Sequence, residues 1–171
     1  MKLMMNAFVA AAAAAALAGC GGDGDNEPRV ELAIAVTEAT PASENGVIEP
    51  AKAASVSNQA RAADASFPEA YCAITFSTAP SSNGKSYQVQ VYFRQSDANA
   101  VFASLADLGA AYSVGLLNTT VTGITGVTVD RLKRTIEYNG ANLTGVVDAT
   151  QAAKLTGTIA FPANPANNAC G

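Results

Sequence analysis

The chain has three cysteines, Cys20, Cys72 and Cys170, and no histidine among its 171 residues. The missing imidazole removes the usual general base and the commonest metal ligand. It excludes a Ser-His-Asp triad and a Cys-His pair. Lys85 and Ser86 are adjacent and formally offer a Ser-Lys dyad, but neighbours on a turn read as solvated. The acids Asp97, Asp107, Asp130, Glu137 and Asp148 are scattered, whereas glycoside hydrolysis requires two carboxylates converging in a cleft. Asp23-Gly24-Asp25-Asn26-Glu27 looks like the start of a calcium loop, yet Ile34 stands at the twelfth position, where an EF-hand places its glutamate. No glycine-rich phosphate loop opens a helix. These residues assign no catalytic group, no metal and no cofactor. For binding, the lack of tryptophan leaves ring stacking to Tyr87, Tyr92 and Tyr138. Tyr92 and Arg94, on the outward face of a predicted strand, are the best aromatic-plus-cation pair for a ligand contact. The alternative is an ordinary cross-strand surface pair.

The element that places the first cysteine is the N-terminal run. Lys2 is a minimal positive region, and Leu3 to Leu17 is apolar except for Asn6. These 15 residues fall short of the roughly 20 a spanning helix needs. With small Ala18 and Gly19 behind them they read as a signal peptide over residues 1–19. Leu17-Ala18-Gly19-Cys20 resembles the lipobox of the bacterial lipoproteins, in which a Leu-type residue and two small residues precede the modified cysteine. The resemblance covers residues 1–20. It implies cleavage between Gly19 and Cys20, a diacylglycerol on the Cys20 thiol and acylation of the new amino group. Each buried methylene adds ~0.8 kcal/mol, so two or three chains make release negligible. In that family an Asp directly after the cysteine favours the inner membrane. Here Gly21 and Gly22 follow it, which implies the outer membrane. An ordinary secretory signal with an incidental Cys20 is the alternative.

With Cys20 assigned to lipid, Cys72 and Cys170 remain. An even pair in an exported chain reads as a disulfide. Two free thiols or a soft metal pair are the alternatives, though without a histidine or third thiol a zinc site lacks ligands.

The mature chain would have 152 residues, enough for one domain and a tail. Gly21 to Ser66 holds eight acids and three bases, while Phe67 to Gly171 holds six of each. The acidity therefore belongs to the first segment, and nothing forms the basic face that nucleic acid requires. Residues 20–66 lack aromatics and read as an acidic, mostly disordered tether. Two pieces qualify that: the alternation of Val30, Leu32, Ile34 and Val36, which suits an extra strand, and Pro50 to Asp64, which has helix formers.

Residues 67–171 read as a disulfide-closed β-rich domain. Tyr71 to Ser77 and Ser86 to Arg94 alternate with period two, and turn residues 80–84 join them, which predicts an antiparallel hairpin. Val101, Leu105, Leu108 and Tyr112 follow at helical spacing, so one covering helix is expected near residues 97–109. Further strands are expected at 113–117, 119–124, 127–130, 134–138, 141–147 and 155–161, with Asn139-Gly140 as a tight hairpin turn. The fold class is mainly β (α+β), a small antiparallel sheet or β-sandwich under one helix. The function expected is a non-enzymatic, outer-membrane-anchored lipoprotein, a structural or interaction module meeting an envelope protein partner. A small-ligand or glycan-binding lipoprotein is the alternative, and a His-free hydrolase a more distant one.

Overall fold

A computed structural model describes residues 32–107, 109–115 and 123–171. Cys20, the lipobox and the run from Asp23 to Glu27 lie outside the described residues. Ten strands form one antiparallel sheet: β1 Ile34–Thr40, β2 Gly46–Ile48, β3 Ser55–Arg61, β4 Tyr71–Pro80, β5 Ser86–Arg94, β6 Ala100–Ala106, β7 Ala111–Gly115, β8 Val127–Asp130, β9 Thr135–Gly145 and β10 Ala152–Ala160. The order is β2-β1-β10-β9-β7-β6-β5-β4-β3, with β8 paired to the other half of β9's edge. The mainly β class is as expected, and the sandwich alternative gives way to a single sheet.

The expected hairpin of β4 and β5 is present, with Cys72 opposite Phe93 and Ile74 opposite Val91. Cys72, Ile74 and Phe76 are buried, as are Tyr87, Val89, Val91 and Phe93. They join Ile34, Leu105, Tyr112, Ile136, Leu143 and Leu155 in one core. Alternation puts the apolar members of nearly every strand on a common face, and the sheet rolls around that face. Its two ends meet where β2 reaches the end of β4. Ile48 bridges Ser81, Glu49 N–H donates to Pro80 O at 2.9 Å, and Ser82 N–H to Val47 O at 2.9 Å. Farther along the same seam the tail after β10 crosses to β3. Asn58 Nδ2 donates to the carbonyls of Pro162 (2.8 Å) and Cys170 (3.0 Å), and Asn164 Nδ2 donates to Asn58 O (3.1 Å). Those bonds cover backbone that an edge strand would leave bare.

Three expectations need correction. Among the described residues no helix covers the sheet near 97–109: Ala100–Ala106 is β6. The period of two is masked because Ala103, facing in, is small, while Phe102, facing out, is aromatic. Leu105 and Tyr112, read as one helix face, are partners across β6 and β7. Second, the tether does not extend to Ser66, because the sheet begins at Ile34. Ile34 and Val36 are buried between β2 and β10, so neighbouring strands supply the apolar cover that β1 lacks on its own. In the stretch from Pro50 to Asp64, Pro50 opens only a 3₁₀ turn, Pro50–Lys52, and Ser55–Arg61 pairs along β4. Third, Asn139-Gly140 is not a hairpin turn. Strand β9 runs through it, and Gly140, at φ 70°, is the extra residue of a bulge opposite Leu155 and Thr156. Positive φ serves either use, so the dipeptide alone does not distinguish them.

A backbone approach between β10 and the entry to β1 yields one prediction. Gly157 has φ 136°, and a Cβ there would lie 2.1 Å from Ala33 O. Gly157→Ala is expected to lower stability by more than ~1 kcal/mol, read as a lower urea midpoint. An unchanged midpoint would mean that this approach is loose.

The roll has two ends. The β4–β5, β6–β7 and β9–β10 turns share one, because Gln88 faces Ala106 and Tyr112 faces Gly145. The β8–β9 turn and the tail share the other, because Asp130 and Ala160 both face Thr135. Ile34 lies opposite Gly157 and β1 runs antiparallel to β10, so the chain enters the sheet at this second end.

Candidate functional site

Two side-chain clusters stand out, on different faces. The first surrounds Tyr92 on the outer face of β4, β5 and β6. The loop from 62 to 70 lays Phe67 on the sheet, where its ring centroid is 4.7 Å from Tyr71, 5.4 Å from Tyr92 and 6.2 Å from Phe102. Tyr92 also packs on Phe102 at 4.9 Å and Tyr71 at 5.4 Å. Asp64 fixes the loop by accepting from Phe67 N (2.9 Å), Ser66 N (2.7 Å) and Tyr71 Oη (3.1 Å). The N–H groups of Phe67 and Ser66 hold its carboxyl below the ordinary value. Arg94 turns to Glu69 at 3.3 Å and to Asp97. Tyr92, expected with Arg94 as a candidate ligand contact, is partly buried against this small cluster, and Arg94 is paired within the β5–β6 turn and to Glu69.

The second cluster lies at the turn-rich end and is ionic. Glu44, in the 3₁₀ turn Ala42–Glu44, is 2% exposed. Lys85, at the end of the β4–β5 turn, pairs with Glu44 and, at 3.0 Å, with Asp107 at the start of the β6–β7 turn. Tyr87 Oη donates to Glu44 Oε2 at 2.8 Å, and Asn83 Nδ2 donates to Tyr87 Oη at 2.8 Å. Asn83 Nδ2 also reaches the carbonyl of Ser43 at 3.2 Å. Hydrogen bonds from the ammonium to Glu44 and then Asp107 hold Lys85 well above the ordinary lysine value. Burial works to raise the Asp107 carboxyl, but Lys85 and the N–H groups of Ala110 and Gly109 outweigh it and keep it low. Burial pushes Tyr87 up to about 12. Lys85 and Asp107 are therefore charged near neutral pH, and Lys85 is not a free base for Ser86. A groove of about 620 Å³ runs beside the cluster, lined by Ser77, Thr78, Lys85, Tyr87, Gln88 and Asp107 among others.

Cys72 in β4 and Cys170 in the 3₁₀ turn Asn168–Cys170 are at disulfide distance, S–S 2.02 Å and Cα–Cα 5.5 Å. The remaining acids singled out stay apart. Asp97 serves Arg94 and Asn99, Asp130 accepts from Lys133 N at 2.9 Å, Asp148 accepts from Thr150 N at 2.9 Å, and Glu137 is exposed on β9. Among the described residues no group of three or more acids or cysteines is placed to hold a metal ion. Sequence reasoning missed Glu44 and Asn83. Glu44 sits in the acidic stretch read as tether, and its partners Lys85 and Tyr87 lie 41 and 43 positions away, so no local spacing marks it.

No family model, curated protein or solved structure matches the chain.

Proposed function

We propose that this chain is a lipid-anchored lipoprotein of the bacterial cell envelope, held at the outer membrane through Cys20, whose β roll is an interaction module. The observation that carries this reading is Leu17-Ala18-Gly19-Cys20 closing an apolar run of 15 residues behind Lys2. The roll suits the periplasm or the cell surface, since its one cysteine pair is at bonding distance and such pairs persist in oxidising compartments. Two details favour an interaction module over the rival readings. The rings around Tyr92 pack on one another. The one Ser-Lys neighbour pair has its lysine committed to two carboxylates.

In a Gram-negative host the full chain is expected in the outer-membrane fraction, with an intact mass that includes the acyl chains. Cys20→Ala is expected to lose that mass and the mature N-terminus. Gly21→Asp is expected to move the protein to the inner membrane. An unacylated Cys20 in the wild-type protein would overturn the anchor. Affinity capture from solubilised envelopes, with Cys20→Ala beside it, tests the module: one reproducible envelope protein supports it, and recovery of none counts against it.

A further inference from the structure

We infer that the β8–β9 turn, with Leu132 at its tip, docks on a bilayer surface rich in anionic phospholipid. The inference rests on the proposed lipid anchor for its geometry. Asp130 pairs with Thr135, so residues 131–134 project from the sheet. Leu132 is 97% exposed. Single exposed leucines are common, and two features distinguish this one. Lys133 and Arg134 flank it, with Asp130 in opposition, while the Arg131 guanidinium is committed to the carbonyls of Gln95 and Ala169. The Lys133 side chain is 79% exposed. An apolar tip flanked by two exposed cations, Lys133 and Arg134, matches the boundary between acyl chains and anionic headgroups.

The second feature is position. The turn lies at the end where the chain enters the sheet. From Thr135 the path to β1 crosses β10 alone, and two strand spacings amount to ~10 Å. Eleven residues separate Cys20 from Leu32. Whatever their conformation, they span no more than ~40 Å. Acyl chains on Cys20 would therefore hold this end within ~40 Å of the bilayer, with the opposite end free to lie a domain's length farther away. The opposite end has its own exposed apolar turn, Val146 (61%) and Val147 (97%), but Asp148 follows and residues 145–151 contain no base. One leucine and a few cations bind weakly by themselves. A tether raises their local concentration enough to matter, so the turn would set the orientation of a domain that the lipid already holds.

The chain lacks tryptophan, which allows a clean probe. Leu132→Trp and Val147→Trp are placed separately in the chain from residue 20 onward carrying Cys20→Ser. This protein keeps every described residue and has no acyl chain. With phosphatidylglycerol-rich vesicles, titrated to a lipid excess that stands in for the local concentration the tether gives, Leu132→Trp is expected to shift its emission to the blue and to be quenched by brominated acyl chains, while Val147→Trp does neither. Phosphatidylcholine vesicles are expected to leave both unchanged. Adding Lys133→Glu and Arg134→Glu is expected to lower partitioning at least tenfold. No response to anionic vesicles, an equal response at the two ends, or an equal response to neutral vesicles would overturn the inference. So would a blue shift produced by an acidic envelope protein and not by lipid. Because the probe protein is not acylated, failure here leaves the anchor at Cys20 standing. Conversely, failure of acylation in cells leaves the vesicle result intact.

Discussion

Removal of the link between Cys72 and Cys170 is expected to cost the roll about 3–5 kcal/mol. The pair spans 98 positions, and closing a loop near 100 residues restricts the unfolded chain by ~4.7 kcal/mol in the chain-entropy model, which is an upper figure. Native contacts point the same way. Cys170 belongs to the tail that Arg131 holds through Ala169 O at 3.2 Å and Asn58 holds through Cys170 O at 3.0 Å. Phe161, at the start of that tail, packs on Phe93 with ring centroids 6.0 Å apart. Without the covalent link these contacts must retain the tail by themselves, across the seam between β10 and β3. The measurement is urea unfolding of the wild type beside the double variant Cys72→Ala, Cys170→Ala. The variant should show a lower midpoint. Its denaturant dependence should also be steeper, since a chain without the link exposes more surface on unfolding. Thiol trapping before intact-mass analysis checks the premise. Equal midpoints, or two trappable thiols in the untreated protein, would remove the link from the account of stability.

What the sequence made legible was local. Period two in β4, β5 and β8 emerges from side chains that alternate cleanly, and those strands fall where the pattern puts them. Strand β6 was misread because its faces carry the wrong sizes: Phe102 points outward into the Phe67 cluster, and Ala103 points into the core. The alternation through Ile34 and Val36 marks β1 as an extra strand, and it starts at Ile34, but β3 was hidden for another reason. Its stability comes from a partner far along the chain, Asn58 against Ile74, and a composition window contains no such partner. The pairing of Cys72 with Cys170 could be inferred because assigning Cys20 to lipid leaves only two cysteines. Tyr92 and Arg94 were found as an outward pair, but the loop that covers Tyr92 owes its position to Asp64, in a stretch that looked like spacer. Glu44 illustrates the same limit. An acid in an acidic stretch looks solvated until the fold places a lysine from 41 positions away beside it.

That lysine carries the second large effect. Lys85→Met is expected to destabilise the roll by about 3 kcal/mol at neutral pH. Removing one partner of a buried ion group costs ~3–5 kcal/mol because the remaining charges lose their compensation, and the lower part of that range applies here because the Lys85 side chain is 32% exposed. Glu44 and Asp107, with side chains 3% and 9% exposed, would then share a site without a cation. The pH dependence gives the sharper test. In the wild type the Asp107 carboxyl is held below its ordinary 3.8. Its contribution is present above that value and lost as pH falls through the lower, folded-state value. Lys85, raised above its ordinary 10.5, contributes fully below that value and loses its contribution only as pH rises through the higher one. Stability from this cluster should therefore be flat through neutrality and decline in acid. In Lys85→Met the Asp107 carboxyl keeps its burial and loses the cation that outweighed it, so protonation relieves the site and the slope reverses: the variant should become more stable as pH falls from 7 toward 4. The cluster joins the turn before β2, the β4–β5 turn and the β6–β7 turn, which makes the loss structural at the place where the ends of the sheet meet. Amide exchange at Val47 and Glu49 should accelerate in the variant more than exchange in β9. A variant with the wild-type pH profile, or with exchange raised evenly over the sheet, would show that the three charges do not hold that seam.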